Sequence, residues 1–375
     1  MGKGDFMKKR FSAIAAVMLL LTACTPSDST SANSAETLPM TGGDPVVADE
    51  PATLPLTDGE PVVIDEPATL PLTDGDPVVT GVEYNIASLK GPTTMGMVKL
   101  MSDSEAGMTL NKYNVSVYAT ADEIVTGVVS GNTDIANVPA NLAAVLYNKT
   151  EGAIDVAAVN TLGVLYVVTA GDEITSIDDL KGKTVYSTGK GTTPEYVFNY
   201  ILRRNGLEPQ QDVTIEYKSE AAECAAVMAE SENAVAVLPQ PYVTAAQMQN
   251  ENIKIALSLT DEWNKVCDTP LITGVTVAQK SVVEENENAF GTFLDEYQAS
   301  VDFVNENTDD AAELIGGYDI VKAPVAKKAL PYCNITLLRD DAMKQAVTGY
   351  WSVLFEADGT SVGGSVPGDD AFFVR

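Results

Sequence analysis

The sequence predicts an α/β fold with two lobes, each built on a mixed, mostly parallel sheet covered by helices. Three observations carry that expectation. Strand-like and helix-like runs alternate along most of the chain after Gly81, the pattern of strands joined by helical crossovers. The stretch from Gly81 to Arg375, roughly 295 residues, exceeds what one compact core holds. One strand-to-helix turn also occurs twice, as Asn85-Ile86-Ala87-Ser88-Leu89-Lys90-Gly91-Pro92-Thr93-Thr94 and as Thr184-Val185-Tyr186-Ser187-Thr188-Gly189-Lys190-Gly191-Thr192-Thr193-Pro194.

Taken in order, Tyr113–Ala119 reads as strand, Ala121–Ser130 as helix, Asp134–Val138 as strand and Asn141–Asn148 as helix. Val156–Val159 and Leu165–Ala170 follow as strands. The second turn leads into a helix in which Tyr196, Val197 and Phe198 recur at Tyr200, Ile201 and Leu202. Then come the strand Val213–Lys218, the helix Glu220–Glu232, and the strands Ala234–Leu238 and Ile253–Leu259. After the strand Gly274–Gln279 the chain is mostly amphipathic helix, including Phe290–Val304 and Met343–Phe355.

Each repeated turn has a use. Gly91, Gly189 and Gly191 let the backbone approach a ligand, Thr192 or Thr193 can cap the following helix, and Pro194 suits its first turn. In open α/β sheets ligands bind beyond the carboxyl ends of the strands. Two such turns in separate halves therefore suggest one ligand gripped between two lobes, by Lys90, Gly91, Thr93 and Thr94 from one side and Gly189, Lys190, Gly191, Thr192 and Thr193 from the other.

Ahead of this core, Lys8, Lys9 and Arg10 precede the apolar run Phe11–Leu21, which ends in Leu21-Thr22-Ala23-Cys24. This is an export signal over residues 1–23 with a lipobox, so a mature chain beginning at Cys24 and carrying lipid on it is expected outside the cytoplasmic membrane. Residues 24–80 then lack Lys, Arg and aromatic residues and repeat Thr-Leu-Pro at Thr37, Thr53 and Thr69, a period of 16 residues. Acidic and rich in proline, they read as a self-repelling, semi-extended stalk.

The order of segments resembles the substrate-binding proteins of ABC transporters, in the branch that takes nitrate, sulfonate, taurine and thiamine-pyrimidine ligands. Ser176–Val185 is similar to the segment that opens the second lobe in that family. Gly131–Ala140 resembles the first-lobe strand and ligand loop, and Leu238-Pro239-Gln240-Pro241-Tyr242 its second-lobe counterpart. The resemblance implies a type II periplasmic-binding-protein fold, with residues 82–168 and 272–375 in the first lobe, 169–271 in the second, and a hinge of two crossovers near Thr169 and Thr273. It adds Asn137, Pro139, Asn141, Gln240 and Tyr242 to the candidate ligand residues. The implied partners are a small molecule and a permease with its ATPase, and the implied state is a monomer tethered to the membrane by lipid.

Other functions are weighed by what is missing. The chain has no histidine, which removes Ser-His and Cys-His nucleophiles and His-ligated metals. Gly182-Lys183-Thr184 looks like the end of a P-loop, but Ile177 stands where its first glycine belongs. No catalytic residue, cofactor or metal is expected. Cys224, in an Ala-rich run, reads as a small buried residue, while Cys267 and Cys333 are either bridged or free. A net charge of −30 disfavours nucleic acid and anionic lipid surfaces. A small anion stays possible through local N–H groups with Lys90 or Lys190, and the scarcity of arginine keeps a neutral or amine-bearing ligand equally open. Tyr166, Tyr196, Tyr242 and Trp263 are candidates to stack on a ring. Two alternatives to transport are a ligand-sensing lipoprotein for a membrane receptor and a pyrimidine-precursor enzyme on this fold, although the Cys-rich motif of the best-known such enzyme is absent.

Overall fold

The computed structural model describes residues 81–375. The expected signal segment, Cys24 and the repeats up to Thr80 lie outside them. Among the described residues eleven strands form two sheets: β1 (Glu83–Leu89), β2 (Lys112–Tyr118), β3 (Ile135–Pro139), β4 (Ile154–Leu162), β10 (Ile272–Gln279) and β11 (Ile335–Leu338) in one, and β5 (Leu165–Ala170), β6 (Thr184–Ser187), β7 (Thr214–Tyr217), β8 (Ala234–Pro239) and β9 (Ile253–Ser258) in the other. The first sheet runs β11-β4-β10-β3-β1-β2 and the second β7-β6-β8-β5-β9.

The sheets are mixed, as expected, but parallel pairing is less dominant than the alternation suggests. β1 pairs in parallel with β2 and β3, and β6 with β7 and β8. The remaining pairings, β3 and β4 with β10, β4 with β11, and β5 with β8 and β9, are antiparallel. For β5 and β10 the cause is that the chain crosses between sheets twice, and each crossing delivers a strand running against its new neighbours. It leaves the first sheet at Leu162 and enters the second at Leu165, then returns from Ser258 to Ile272. Sheet membership thus changes a few residues earlier than the 168/169 boundary expected from sequence.

Position within each sheet follows from composition. β3 (IANVP) and most of β4 (IDVAAVNTL) are buried throughout, as central strands covered on both faces must be. Of the four edge strands, β2, β7 and β9 carry exposed residues, among them Lys112, Glu216 and Lys254, which discourage pairing with another chain, whereas the short edge strand β11 is buried or half-buried.

Helices fill both faces. The outer face of the first sheet packs Tyr84, Ile86 and Tyr113 against Phe290, Phe293 and Tyr297 of the helix Glu287–Glu306, and that of the second packs Val168, Ala236 and Leu238 against Cys224, Met228 and Val243. Between them lies a third cluster that belongs to both sheets, joining Val138, Val159 and Val275 to Leu165, Val185 and Val235. The helix Thr193–Arg204 is its keystone: Val197, Phe198, Ile201 and Leu202 are buried, and Arg203 and Arg204 complement the carboxyl end of its dipole. At about 1.5–3 kcal/mol for each large apolar side chain buried, that face is a major share of the stability. Cys224 is buried, as read from sequence, and Cys267 and Cys333 are free thiols.

Ser176 opens a short 3-10 helix, Ile177–Leu180, through a capping box with Asp179. One carboxylate oxygen of Asp179 accepts from the backbone and hydroxyl groups of both Thr175 and Ser176 at 2.9–3.1 Å. Those bonds hold the carboxyl well below its usual range, at about 2. A depressed carboxyl stabilises the fold above its unfolded value, and that contribution is lost as pH falls through about 4 to 2. Asp179→Asn should therefore lower stability to denaturant at neutral pH, with the gap to wild type closing below about pH 2.

Candidate functional site

Between the sheets, at the carboxyl ends of their parallel strands, lies a cavity of about 300 Å³. Its wall is assembled strand by strand. Lys90, Pro92 and Thr93 follow β1; Thr120, Ala121 and Asp122 follow β2; Pro139 ends β3. From the other sheet, Thr188, Gly189, Lys190, Thr192, Thr193 and Pro194 follow β6, Lys218 to Ala221 follow β7, Pro239 ends β8 and Tyr242 opens the helix after it. The two crossings add Thr161, Val164, Leu165 and Thr273. Strand triplets β2-β1-β3 and β7-β6-β8 thus present corresponding turns to one space.

The glycines work as the turn chemistry requires. Gly91, at φ 137, adopts a conformation closed to other residues, and reverses the chain from β1 into the helix Pro92–Met95. Gly189 has φ +70, and a Cβ there would meet Thr192 Oγ1 at 2.6 Å. Thr192 occupies the N-cap position of the helix Thr193–Arg204, but its hydroxyl donates to Gly189 O at 2.7 Å instead of capping. The Gly191 N–H is taken by Glu195 Oε2 at 2.6 Å.

Of the residues selected from sequence, Lys90, Thr93, Pro139, Gly189, Lys190, Thr192, Thr193 and Tyr242 line the cavity. Gly91, Thr94, Asn137, Asn141, Gly191 and Gln240 do not, and for most of them the reason is an internal bond. The Thr94 hydroxyl bonds Ser88 Oγ and Leu89 O, both at 2.7 Å. Gln240 Oε1 accepts from the hydroxyl and N–H of Thr244. Asn141 bridges the two sides, donating to Ser361 O at 3.0 Å and accepting from Thr193 Oγ1 at 3.3 Å. Asn137, fully buried, donates to Ser88 Oγ and to Thr93 O at 3.1 Å and accepts from Asn160 Nδ2 and Thr276 Oγ1. It braces the wall from behind. Among the aromatics, Trp263 is core, between Tyr200 and Tyr350 with Nε1 donating to Thr269 O, and Tyr166 and Tyr196 stand outside the cavity lining.

Sequence reasoning missed Thr120, Asp122, Thr161, Lys218, Ser219, Glu220 and Thr273. Those after β2 and β7 were within reach, because the rule of strand carboxyl ends applies equally to Ala119 and Lys218, where those runs were read to stop. Lys90, Lys190 and Lys218 are the cationic lining. Among the described residues none of the three pairs with a carboxylate within 4.0 Å, and Lys190 and Lys218 instead lie over the rings of Tyr217 and Tyr186 at 5.9 and 5.1 Å. Burial, with help from the Glu220 charge, pushes the Tyr242 hydroxyl up to about 12, so it stays protonated as a donor.

Two mixed sheets, crossed twice and holding a cavity at their strand ends, define the fold of the periplasmic binding proteins. The sequence profile described as "ABC transporter, phosphonate, periplasmic substrate-binding protein" matches residues 104–302, and the chain belongs to that family. A Bacillus subtilis protein named as a binding protein, YtlA, is 24% identical over 200 residues, which span 52% of this chain and 58% of that one. An ABC transporter structure from Parabacteroides distasonis superimposes with a TM-score of 0.64 at 22% identity, over 78% of this chain and 99% of the other. The aliphatic sulphonate binding protein of Escherichia coli gives 0.60 at 15% identity, over 73% and 87%. The nitrate-binding protein of Synechocystis gives 0.56 at 14%, over 78% and 84%. These likenesses fix the fold.

Asn137→Ala should cost about 2–4 kcal/mol of unfolding free energy, because Asn160, Thr276 and the Thr93 carbonyl lose a buried partner together. Urea denaturation of the variant checks this.

Proposed function

We propose that this protein captures a small organic solute bearing an oxyanion, between two lobes that close on it, and delivers it to an ABC permease and its ATPase. The observation that carries the ligand class is the set of three cavity lysines without a carboxylate partner. An unpaired ammonium beside a partly enclosed cavity favours an anion, and the nearby hydroxyls supply neutral donors. No arginine lines the cavity, so recognition is by point charges and hydroxyls rather than by a bidentate fork, which suits a single tetrahedral or planar oxyanion. Asp122 and Glu220 on the same lining leave room for an amine elsewhere on the solute. At about 300 Å³ the space fits a compact molecule.

The lobes of this reading are residues 82–168 with 272–375, and 169–271, with the first hinge drawn back to the change of sheet at residues 163–164. The protein acts as a binder rather than an enzyme, as a monomer on the extracytoplasmic face. It is held there by lipid on Cys24, with the repeats of residues 24–80 as a spacer.

Isothermal titration with methylphosphonate, ethanesulfonate and nitrate tests the ligand class. Replacing Lys90, Lys190 or Lys218 by Met should weaken whichever anion binds by roughly three- to tenfold each, an effect that shrinks as salt is raised because these amines are partly solvated. Variants that bind like the wild type would remove the lysines from the site. For the anchor, Cys24→Ala should shift the protein from the membrane fraction to the soluble fraction, and retention on membranes would contradict lipidation.

A further inference from the structure

The back of the cavity is made by the chain where it crosses between the sheets. Thr161 near the end of β4, Val164 and Leu165 entering β5, and Thr273 at the start of β10 all line it. β10 is held tightly there. A Cβ on Gly274 would stand 2.4 Å from Thr93 Cγ2 and 2.6 Å from Asn160 Oδ1, so only glycine lets this strand lie against the Thr93 turn. Two residues on, Thr276 ties the same strand to Asn137 at 2.8 Å.

Four of the threonine hydroxyls along the cavity are committed to bonds within the protein. Thr93 donates to Leu89 O, Thr161 to Asn160 Oδ1, Thr192 to Gly189 O and Thr193 to Asn141 Oδ1. The Thr273 oxygen is buried and has no partner, and among the described residues no other cavity-lining side chain has a buried polar atom left unpaired. A buried hydroxyl without a partner is costly, and such groups in native proteins call for an explanation. Rotation about Cα–Cβ exchanges the methyl and hydroxyl of threonine between staggered positions, so a side chain that lines the cavity can offer either to its contents.

We propose that Thr273 is a ligand-binding residue, its hydroxyl donating to an oxygen of the bound solute. This rests on the solute-binding reading above and adds to it a specificity determinant on the return crossing itself, so that occupancy of the cavity is felt directly by a hinge strand. Thr93, Thr161, Thr192 and Thr193 bond within the protein, whereas the Thr273 oxygen is the buried one without a partner.

The signature is a pair of effects of opposite sign. Thr273→Val preserves shape and deletes the hydroxyl. Without ligand its melting temperature should equal or exceed that of the wild type, because an unpaired buried oxygen is removed. Its affinity for methylphosphonate or ethanesulfonate should fall roughly three- to tenfold, with Thr273→Ser restoring it. Thr161→Val, which loses an internally bonded hydroxyl, should instead melt lower. A ligand-free Thr273→Val protein that melts below the wild type would mean the hydroxyl already has a partner, and the inference fails. It fails too if the wild type binds the probe and the valine variant binds it equally. A wild type that takes up neither probe overturns the anion reading and this inference with it, a result separable from the other two.

Discussion

A single neutral junction holds the first wall of the cavity. Asn137 on β3 meets Ser88 at the end of β1, Asn160 on β4 and Thr276 on β10, and reaches forward to the carbonyl of Thr93. Parallel and antiparallel neighbours come together at this point, where β10 lies between β3 and β4. In a low-dielectric interior a polar cluster is stabilising only when every member is satisfied. Asn137 uses both ends of its amide, and the short helix Pro92–Met95 is too brief to persist without such a brace. The placing of Lys90 and Thr93 on the cavity therefore depends on a residue that never reaches it.

Charge works against intuition here. The chain is strongly acidic, at −30, yet the cavity gathers three unpaired lysines. Exposed charges more than about 8–10 Å apart are largely screened at physiological ionic strength, so the distant acids contribute little to the field inside. Seating Lys190 and Lys218 over tyrosine rings orients the ammonium groups without neutralising them, as a carboxylate would have done.

The architecture was legible in the sequence wherever periodicity decides structure. The runs 113–119, 165–170, 234–238 and 253–259 were recovered nearly to the residue because alternation and continuous apolar runs register burial directly. Pairing direction was not legible, since it depends on which sheet a strand joins after a crossing, and Leu165–Ala170 reads the same either way. The candidate site was legible in part through its turns: Thr93 after β1 and Gly189, Thr192 and Thr193 after β6 line the cavity, whereas Gly91, Thr94 and Gly191 of the same turns do not. Asn137, Asn141, Gln240 and Thr94 look identical in sequence to ligand-binding polar residues, and only the hydrogen-bond partners reveal that their capacity is spent inside the protein. Lys218 just past β7 and Thr273 on β10 belong to no turn motif that would draw notice.

The order of strands in the first sheet also dictates the order in which it can be completed. β10 sits in the middle of that sheet, yet the ribosome makes it only after all of the second sheet has been made. Until it arrives, β3 and β4 have no common neighbour, and the early strands β1, β2 and β3 remain a fragment open at β3 as well as at β2. The second sheet, drawn from one continuous stretch of chain, faces no such delay and can assemble from nearer contacts. The nascent molecule is thus asymmetric in time: one half matures as it is made, while the other waits for a distant piece to be threaded into its centre, and the space between them takes its final shape only at that last step.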